Sequence, residues 1–335
     1  MKVGILGLGY WGPNLIRNFA ANSEVSSVFG CDISESRLKW IHDRFPNVIL
    51  SSDAENFVQK SYCDCIAIAL PVALHYKYGK MALEAGKHIW MEKPFTATSK
   101  EAEELIEIAE RKNLRIFVDH TFIYTGAVQK IKELVEKDSL GDILYFDSVR
   151  VNLGLFQNDV NVIWDLAPHD LSIMDYVLGK EVKAISAHGI ANYYNHENIA
   201  HIAVYFKENC FAHFHVNWTS PVKIRRMILG GTKKMLVFDD MENFEKIKVY
   251  DSGVELSDKE GIYNALVQYR IGDMYSPKVN QTEALALGVK EFIESIRQNR
   301  LPITSGKEGL SVVKILEAAE KSIKNRGELI EINNK

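Results

Sequence analysis

The sequence predicts two domains, a doubly wound α/β domain followed by an α+β domain built on an open, mostly antiparallel sheet. Three observations predict this. The chain has 335 residues of near-average composition, 47% hydrophobic and 25% charged, which is enough for two cores. Short, continuously apolar runs alternate with helical periodicity up to about residue 120. Beyond that, long strand-like stretches with short connections take over.

The first-domain runs are KVGILG, VSSVFGCD, CIAIAL, KHIWME and RIFVDH, with helical segments at 13–21, 72–85 and 99–112. Strands that are apolar throughout, separated by helices, indicate a parallel sheet covered on both faces. A helix at 127–137 follows the boundary, which is expected near residue 121. From 142 to 251 the runs are ILYFDSVRVNL, HIAVYF, FAHFHVNW and RRMILGG. One helix interrupts them at about 167–178 and is closed by Gly179. Long strands with short links imply antiparallel pairing. Two helices end the chain, at 282–298 and 307–324, and these can pack back on the first domain. The expected domains are therefore 1–120 and 121–335.

Charge and cysteine content narrow the function classes. A formal net charge of -4 with well-mixed signs lacks the basic stripe needed to neutralise a nucleic acid. Four cysteines, Cys31, Cys63, Cys65 and Cys210, make no disulfide framework and point to a reducing cytoplasm. No run approaches the roughly 20 apolar residues of a membrane span, so neither a membrane nor a nucleic acid is expected as a partner. Cys63 and Cys65 lead into an apolar strand, and His213 and His215 share one strand face but lack a third ligand. No metal is expected at either place.

The segment GILGLGYWGPN sets Gly7, Gly9 and Gly12 in G-x-G-x-x-G spacing, directly after a strand and at the start of a helix with Pro13 in its first turn. The motif alone is weak. It gains force from Asp32 at the end of the second strand, 20 residues after Gly12, where a carboxylate can accept from both ribose hydroxyls of an adenosine. The glycines let the backbone approach a pyrophosphate at a helix N-terminus, with Tyr10 and Trp11 in the same turn. Asp32 would repel a 2'-phosphate, so NAD is expected over NADP. Arg37, five residues on, keeps NADP as the alternative.

Two further constellations carry candidate chemistry. HIWMEKPF ends a strand in Glu92, Lys93 and Pro94, and proline biases Lys93 toward extended geometry. Lys93 thus stands at the carboxyl end of a parallel strand, where ligands bind in open α/β sheets. Leu70, Pro71 and His75 follow another strand in the same way. The plain alternatives are a solvated lysine and a surface histidine. In VIWDLAPHDLS, Asp165 and His169 are four apart. With a helix start near Ala167, Asp165 can either cap the helix or hold the imidazole, which would then serve as a base toward a hydroxyl. Asp170 points about 100° away from His169.

The residues GLGYWG, MEKP and DLAPH, in this order and spacing, resemble the glucose-fructose oxidoreductase/inositol dehydrogenase/MocA (Gfo/Idh/MocA) family of nicotinamide-dependent oxidoreductases, over nearly the whole chain. The resemblance implies an N-terminal Rossmann domain and a C-terminal open sheet whose free face builds homodimers or homotetramers. It also implies a catalytic set of Lys93, Asp165 and His169. His169 is then the acid/base at a sugar hydroxyl, Lys93 stabilises the alkoxide, and Asp165 orients them. Leu70 stands where the family commonly has threonine. The family's sugar and polyol members often carry glycines before the aspartate, whereas this chain has QNDVNVIWD, and this version resembles the nucleotide-sugar branch. That implies a UDP-N-acetylhexosamine or its uronate, oxidised at C3 for surface polysaccharide or lipid A precursor synthesis, with Asn161 and Trp164 as candidates for the sugar subsite. The alternative for those two is that they only shape the helix entrance. The rival functions are a free sugar or inositol dehydrogenase, an NAD-dependent glycoside hydrolase, and a non-catalytic NAD sensor.

Overall fold

The computed structural model describes residues 1–60, 62–154, 160–193, 195–257 and 266–332. The chain divides into two compact units, Met1–Tyr124 with Thr282–Lys314 and Thr125–Gln281 with Ile315–Lys335.

The first unit runs β1 (Lys2–Leu6), α1 (Gly12–Ala20), β2 (Ser27–Cys31), α2 (Glu35–Arg44), β3 (Ile49–Ser51), α3 (Ala54–Lys60), β4 (Cys65–Ile68), α4 (His75–Glu84), β5 (His88–Met91), α5 (Ser99–Arg111) and β6 (Ile116–Val118). Its six strands form one parallel sheet in the order β3-β2-β1-β4-β5-β6. The order reverses on either side of β1, so the carboxyl ends of β1 and β4 flank the switch point at which such sheets bind ligands. The runs of the central strands β1, β4 and β5 and of β6 are buried almost throughout, as with Val3, Ile5, Ile66 and Ile68 at 0% exposure. That is why they show no alternation. α5 begins with a capping box between Thr98 and Glu101, which satisfies two otherwise orphaned N–H groups.

The C-terminal segment read as able to pack back on the first domain lies partly in the first unit. Segment 282–314 belongs to the first unit, because α8 (Ala284–Arg297) brings Phe292 into an aromatic cluster with Phe19, Trp90 and Phe117. Trp90 and Phe117 stack at 4.0 Å. Glu283, just before α8, accepts both guanidinium nitrogens of Arg17 on α1, at 2.8 and 2.6 Å. Burial of aromatic rings dominates such packing, and it outweighs the sequence distance.

The second unit runs α6 (Gly126–Glu136), β7 (Ile143–Leu153), α7 (Val162–Leu178), β8 (Val182–Ile190), β9 (Ile199–Phe206), β10 (Phe211–Asn217), β11 (Thr219–Gly231), β12 (Met235–Asp239), β13 (Ile247–Ser257) and β14 (Leu266–Tyr275). The later half of α9 (Gly306–Lys324) and β15 (Ile330–Glu331) complete it. Among the described residues the sheet has nine strands in the order β14-β13-β12-β11-β7-β10-β9-β8-β15. Among the described residues only β7 and β10 of this sheet pair in parallel. One face is apolar, with Phe146, Ile202, Phe214 and Leu229 buried, and α7 packs on it against β7, β9 and β10. The other face carries His201, His213 and His215, with the rings of His201 and His215 stacked at 4.3 Å.

The helix expected to start near Ala167 starts at Val162. Asn161 caps it, accepting the N–H groups of Ile163 and Trp164 at 3.1 and 3.2 Å, and Pro168 lies inside it. The cap and the buried apolar run Val162–Trp164 decide the start. Gly179 ends the helix with a left-handed φ of 58°, as expected for a glycine C-cap.

Candidate active site

The turn after β1 is built by glycines for steric reasons. Gly7 has φ +96°, and a Cβ there would lie 2.3 Å from the Ala69 carbonyl oxygen. A Cβ on Gly12 would lie 2.6 Å from the Gly7 oxygen. Gly9 meets only the Arg37 guanidinium, so its backbone stays open to an approaching ligand. α1 starts at Gly12 with Pro13 in its first turn and no side-chain cap, which leaves the helix N-terminus available to an anion.

Asp32 closes this turn. Its Oδ2 accepts from the Leu8 N–H at 2.8 Å and its Oδ1 from the Ser34 N–H at 2.9 Å. The carboxylate is thereby held beside a cavity of about 560 Å³ lined by Leu8, Gly9, Tyr10, Pro13, Ser36, Arg37 and Trp40. Tyr10 is 85% exposed and packs edge-on to Trp11 at 5.7 Å. A glycine cradle, a free helix N-terminus and a fixed carboxylate at a large cavity fit the pyrophosphate and adenosine of a dinucleotide. Sequence reasoning did not single out Ser36 and Trp40, because a wall residue of a cavity carries no motif.

The loops after β4 and β5 are joined by His75. Its Nε2 lies 2.8 Å from the Leu70 oxygen and its Nδ1 3.0 Å from the Pro94 oxygen. The ring is buried, and burial pushes its pKa below the ordinary value, helped by the charge of Lys93. The ring thus lies between these two loops, Leu70–Pro71 and Lys93–Pro94, and in its neutral form has one N–H to donate to one of them. The Lys93–Pro94 peptide is cis, and Lys93 itself is partly exposed at the end of β5. Glu92 is buried. Its carboxyl is held well above the usual range, first by burial and then by the neighbouring Asp119. Asp119, which accepts from the Thr121 hydroxyl at 2.7 Å, is itself raised to about 6, chiefly by burial. Buried His120 beside it is lowered to about 3 by burial and by Lys93. Asp119 and His120 were not anticipated, since a D-H pair after a short strand has no spacing signature.

In the second unit, α7 brings Asp165 and His169 onto one side, one turn apart. From Val162 to Leu171 only Asp165, Leu166 and His169 keep partial exposure. Asp165 Oδ2 accepts from the Trp218 Nε1 at 3.0 Å. Since Asn161 caps the helix, Asp165 is not its N-cap. The neighbouring Asp170 faces inward and meets Arg150 and Ser148 of β7.

The two sugar-subsite candidates are held at the helix entrance. Asn161 donates to Glu197 Oε2 at 2.9 Å besides capping, and Trp164 Nε1 donates to Glu320 Oε2 at 3.0 Å. Both are buried, and these polar contacts lie at the helix entrance. Residues 157–159, part of the stretch that suggested a nucleotide sugar, lie outside the described residues.

Comparison with known proteins decides the family. The model of the Gfo/Idh/MocA oxidoreductase family, described as an NAD-binding Rossmann fold, matches residues 1–120, and that of the Gfo/Idh/MocA C-terminal domain matches residues 128–237. The chain belongs to the Gfo/Idh/MocA family. Its members are oxidoreductases with an NAD-binding domain, and the named relatives are dehydrogenases acting on CH–OH groups. One is the scyllo-inositol 2-dehydrogenase (NADP(+)) of Bacillus subtilis, 24% identical over 97% of this chain and 94% of that protein. Another is the UDP-N-acetylglucosamine 3-dehydrogenase of Acidithiobacillus ferrooxidans, 23% identical over 93% of this chain and 94% of that protein. A solved structure of the latter superposes with a TM-score of 0.81 at 20% identity, covering 97% and 98% of the two chains. The aldose-aldose oxidoreductase of Caulobacter crescentus gives 0.83 at 17% identity over 99% of each. These structural likenesses establish the Gfo/Idh/MocA fold. Among the described residues no helix is long and apolar enough to cross a membrane, and no group of three or more His, Cys, Asp or Glu could hold a metal.

Proposed function

We propose that the protein transfers hydride between NAD and a secondary hydroxyl of a nucleotide-linked sugar, at C3 of a UDP-N-acetylhexosamine or its uronate, in precursor synthesis for surface polysaccharide or lipid A. The observation that carries the reaction is the partly exposed pair on α7. Asp165 and His169 stand one turn apart on a helix whose neighbouring side chains are buried. A nicotinamide, when bound, supplies the hydride acceptor. His169 takes the hydroxyl proton on its imidazole, and Asp165 orients that ring and offsets its charge. Lys93 donates from its Nζ to the same oxygen and stabilises the negative charge that develops there. Gly7, Gly9 and Gly12 receive the pyrophosphate, Asp32 the ribose, and Arg37 lines the adenosine cavity. Leu70, Pro71, Glu92 and Pro94 shape the nicotinamide end, where His75 ties the two loops.

The nucleotide-sugar assignment is supported by the similarity to a UDP-N-acetylglucosamine 3-dehydrogenase in both sequence and structure. A second reading, a free inositol dehydrogenase, is favoured by the equally extensive similarity to scyllo-inositol and myo-inositol 2-dehydrogenases. The sheet face bearing His201, His213 and His215 serves as the contact of a homodimer or homotetramer.

The test is nicotinamide reduction by the purified protein with UDP-N-acetylhexosamines, UDP-uronates, inositols and free sugars, coupled to removal of the keto product. Turnover is expected with the nucleotide sugars and its loss in His169→Ala. Turnover with inositol alone would replace the first reading by the second, and full activity of His169→Ala would remove the base assignment.

A further inference from the structure

An indole meets the carboxylate of Asp165. Trp218 follows β10, is 1% exposed, and its Nε1 donates to Asp165 Oδ2 at 3.0 Å. Its own backbone is anchored on both sides. The Trp218 N–H donates to the Asn198 oxygen at 3.0 Å, and its carbonyl accepts from the Gly154 N–H at 2.9 Å. An indole is a rigid ring with one donor and no acceptor. A donor on an anchored, buried ring fixes the position of whatever oxygen accepts from it.

The other polar contacts at this end of α7 fix the backbone of the helix or its packing. Asn161 caps it and reaches Glu197, and Trp164 reaches Glu320. Trp218 instead acts on the side chain of Asp165, which stands one turn before His169 on the partly exposed strip of the helix. A charged acceptor makes this bond stronger than one between neutral groups. Its energy also depends on the carboxylate being ionised.

We infer that Trp218 is a positioning residue for the acid/base pair, holding the Asp165 carboxylate so that its charge and orientation serve the His169 imidazole. The inference rests on the reading of Asp165 and His169 as that pair. Trp218 is buried and acts through Asp165.

Three measurements on the full-length protein with NAD bound test this. Trp218→Phe, which keeps an aromatic ring and removes the donor, should lower kcat by about tenfold to a hundredfold, the worth of a hydrogen bond to a charged group. The KM for NAD should stay within about twofold, as for a group that acts in the chemical step. In an Asp165→Ala background the same change should cost less than about twofold in kcat, because the acceptor of the indole N–H is already gone. The chain has five tryptophans, so the indole N–H region of a 15N-labelled NMR spectrum is simple. The Trp218 signal, assigned by single substitutions of the tryptophans, should move in Asp165→Asn.

Unchanged kcat in Trp218→Phe, or an equal loss in both backgrounds, overturns the inference and leaves the acid/base reading standing. Full activity of Asp165→Asn overturns that reading and the inference with it. If Trp218→Phe does not fold, the indole signal decides, and a signal unmoved by Asp165→Asn overturns the inference.

Discussion

The guanidinium of Arg150 and the carboxylate of Asp170 form an ion pair almost sealed from water, with side-chain exposures of 4% and 2%. Both Nε and Nη2 donate to Asp170 Oδ1, at 2.8 and 2.5 Å, while the Ser148 hydroxyl donates to Oδ2 at 2.7 Å. The pair fastens α7 to β7 one residue beyond His169. It thereby sets the rotation of the helix and the side on which Asp165 and His169 stand.

Removing one partner of this pair leaves an uncompensated buried charge. Asp170→Asn is therefore expected to destabilise the protein by about 3–5 kcal/mol. The check is chemical denaturation, where the midpoint should fall at an unchanged m-value. An Arg150→Met, Asp170→Leu double variant should recover most of the loss, since neither charge then remains buried. A single variant as stable as the wild type would show that the pair does not hold the helix.

Asp32 is expected to set nucleotide choice. In Asp32→Ala the ribose acceptor disappears and the Leu8 N–H loses its partner, so NAD affinity should fall by about tenfold, the worth of one such charged hydrogen bond. The change should leave NADP affinity equal or raise it, because the charge that repels a 2'-phosphate is gone while Arg37 remains. Titrating both nucleotides by fluorescence or calorimetry reads the ratio. An unchanged preference would place selectivity elsewhere in the cavity.

His120 should make stability pH-dependent. Its folded pKa of about 3 lies below the ordinary 6.5, so between these values the unfolded chain takes up a proton that the folded chain refuses. Stability is then lost as pH falls from about 6.5, by up to ~1.4 kcal/mol per pH unit for one histidine. His75 adds in the same direction. Asp119, raised to about 6 from 3.8, acts oppositely, favouring the fold below 3.8 and losing that contribution as pH rises toward 6. The His120 part is isolated by His120→Phe. The stability difference from wild type should be flat above pH 6.5 and should grow in favour of the variant below it. Among the described residues the ring nitrogens of His120 have no hydrogen-bond partner, so the substitution breaks no bond to them. A difference independent of pH would refute the assignment.

The first domain was largely legible because its information is local. Apolar runs without alternation mark strands buried on both faces, and the spacing of Gly7, Gly9, Gly12 and Asp32 reflects a turn where a Cβ collides with the backbone within one βαβ unit. Lys93, Asp165 and His169 were legible as motifs. Their supports were not. Trp218 lies 53 residues from Asp165, and Glu320 lies 156 from Trp164, and no periodicity connects residues so far apart. The helix α7 starts at Val162 and not near Ala167, because Asn161 and the burial of Val162–Trp164 decide its entrance.

By itself, then, the sequence determined the alternation of strands and helices in the first domain, the change to long strands beyond it, the dinucleotide turn and the candidate chemistry, since all of these follow from short-range sterics and residue type. The tertiary structure alone decided that α8 completes the first core through Phe292, that Asp170 turns inward to Arg150, and that Asp165 is held by Trp218. Those relationships arise from packing, which sums many weak contacts between distant segments. A side chain's partner is chosen by what the fold brings within about 3 Å of it, and that distance is not written in any local stretch.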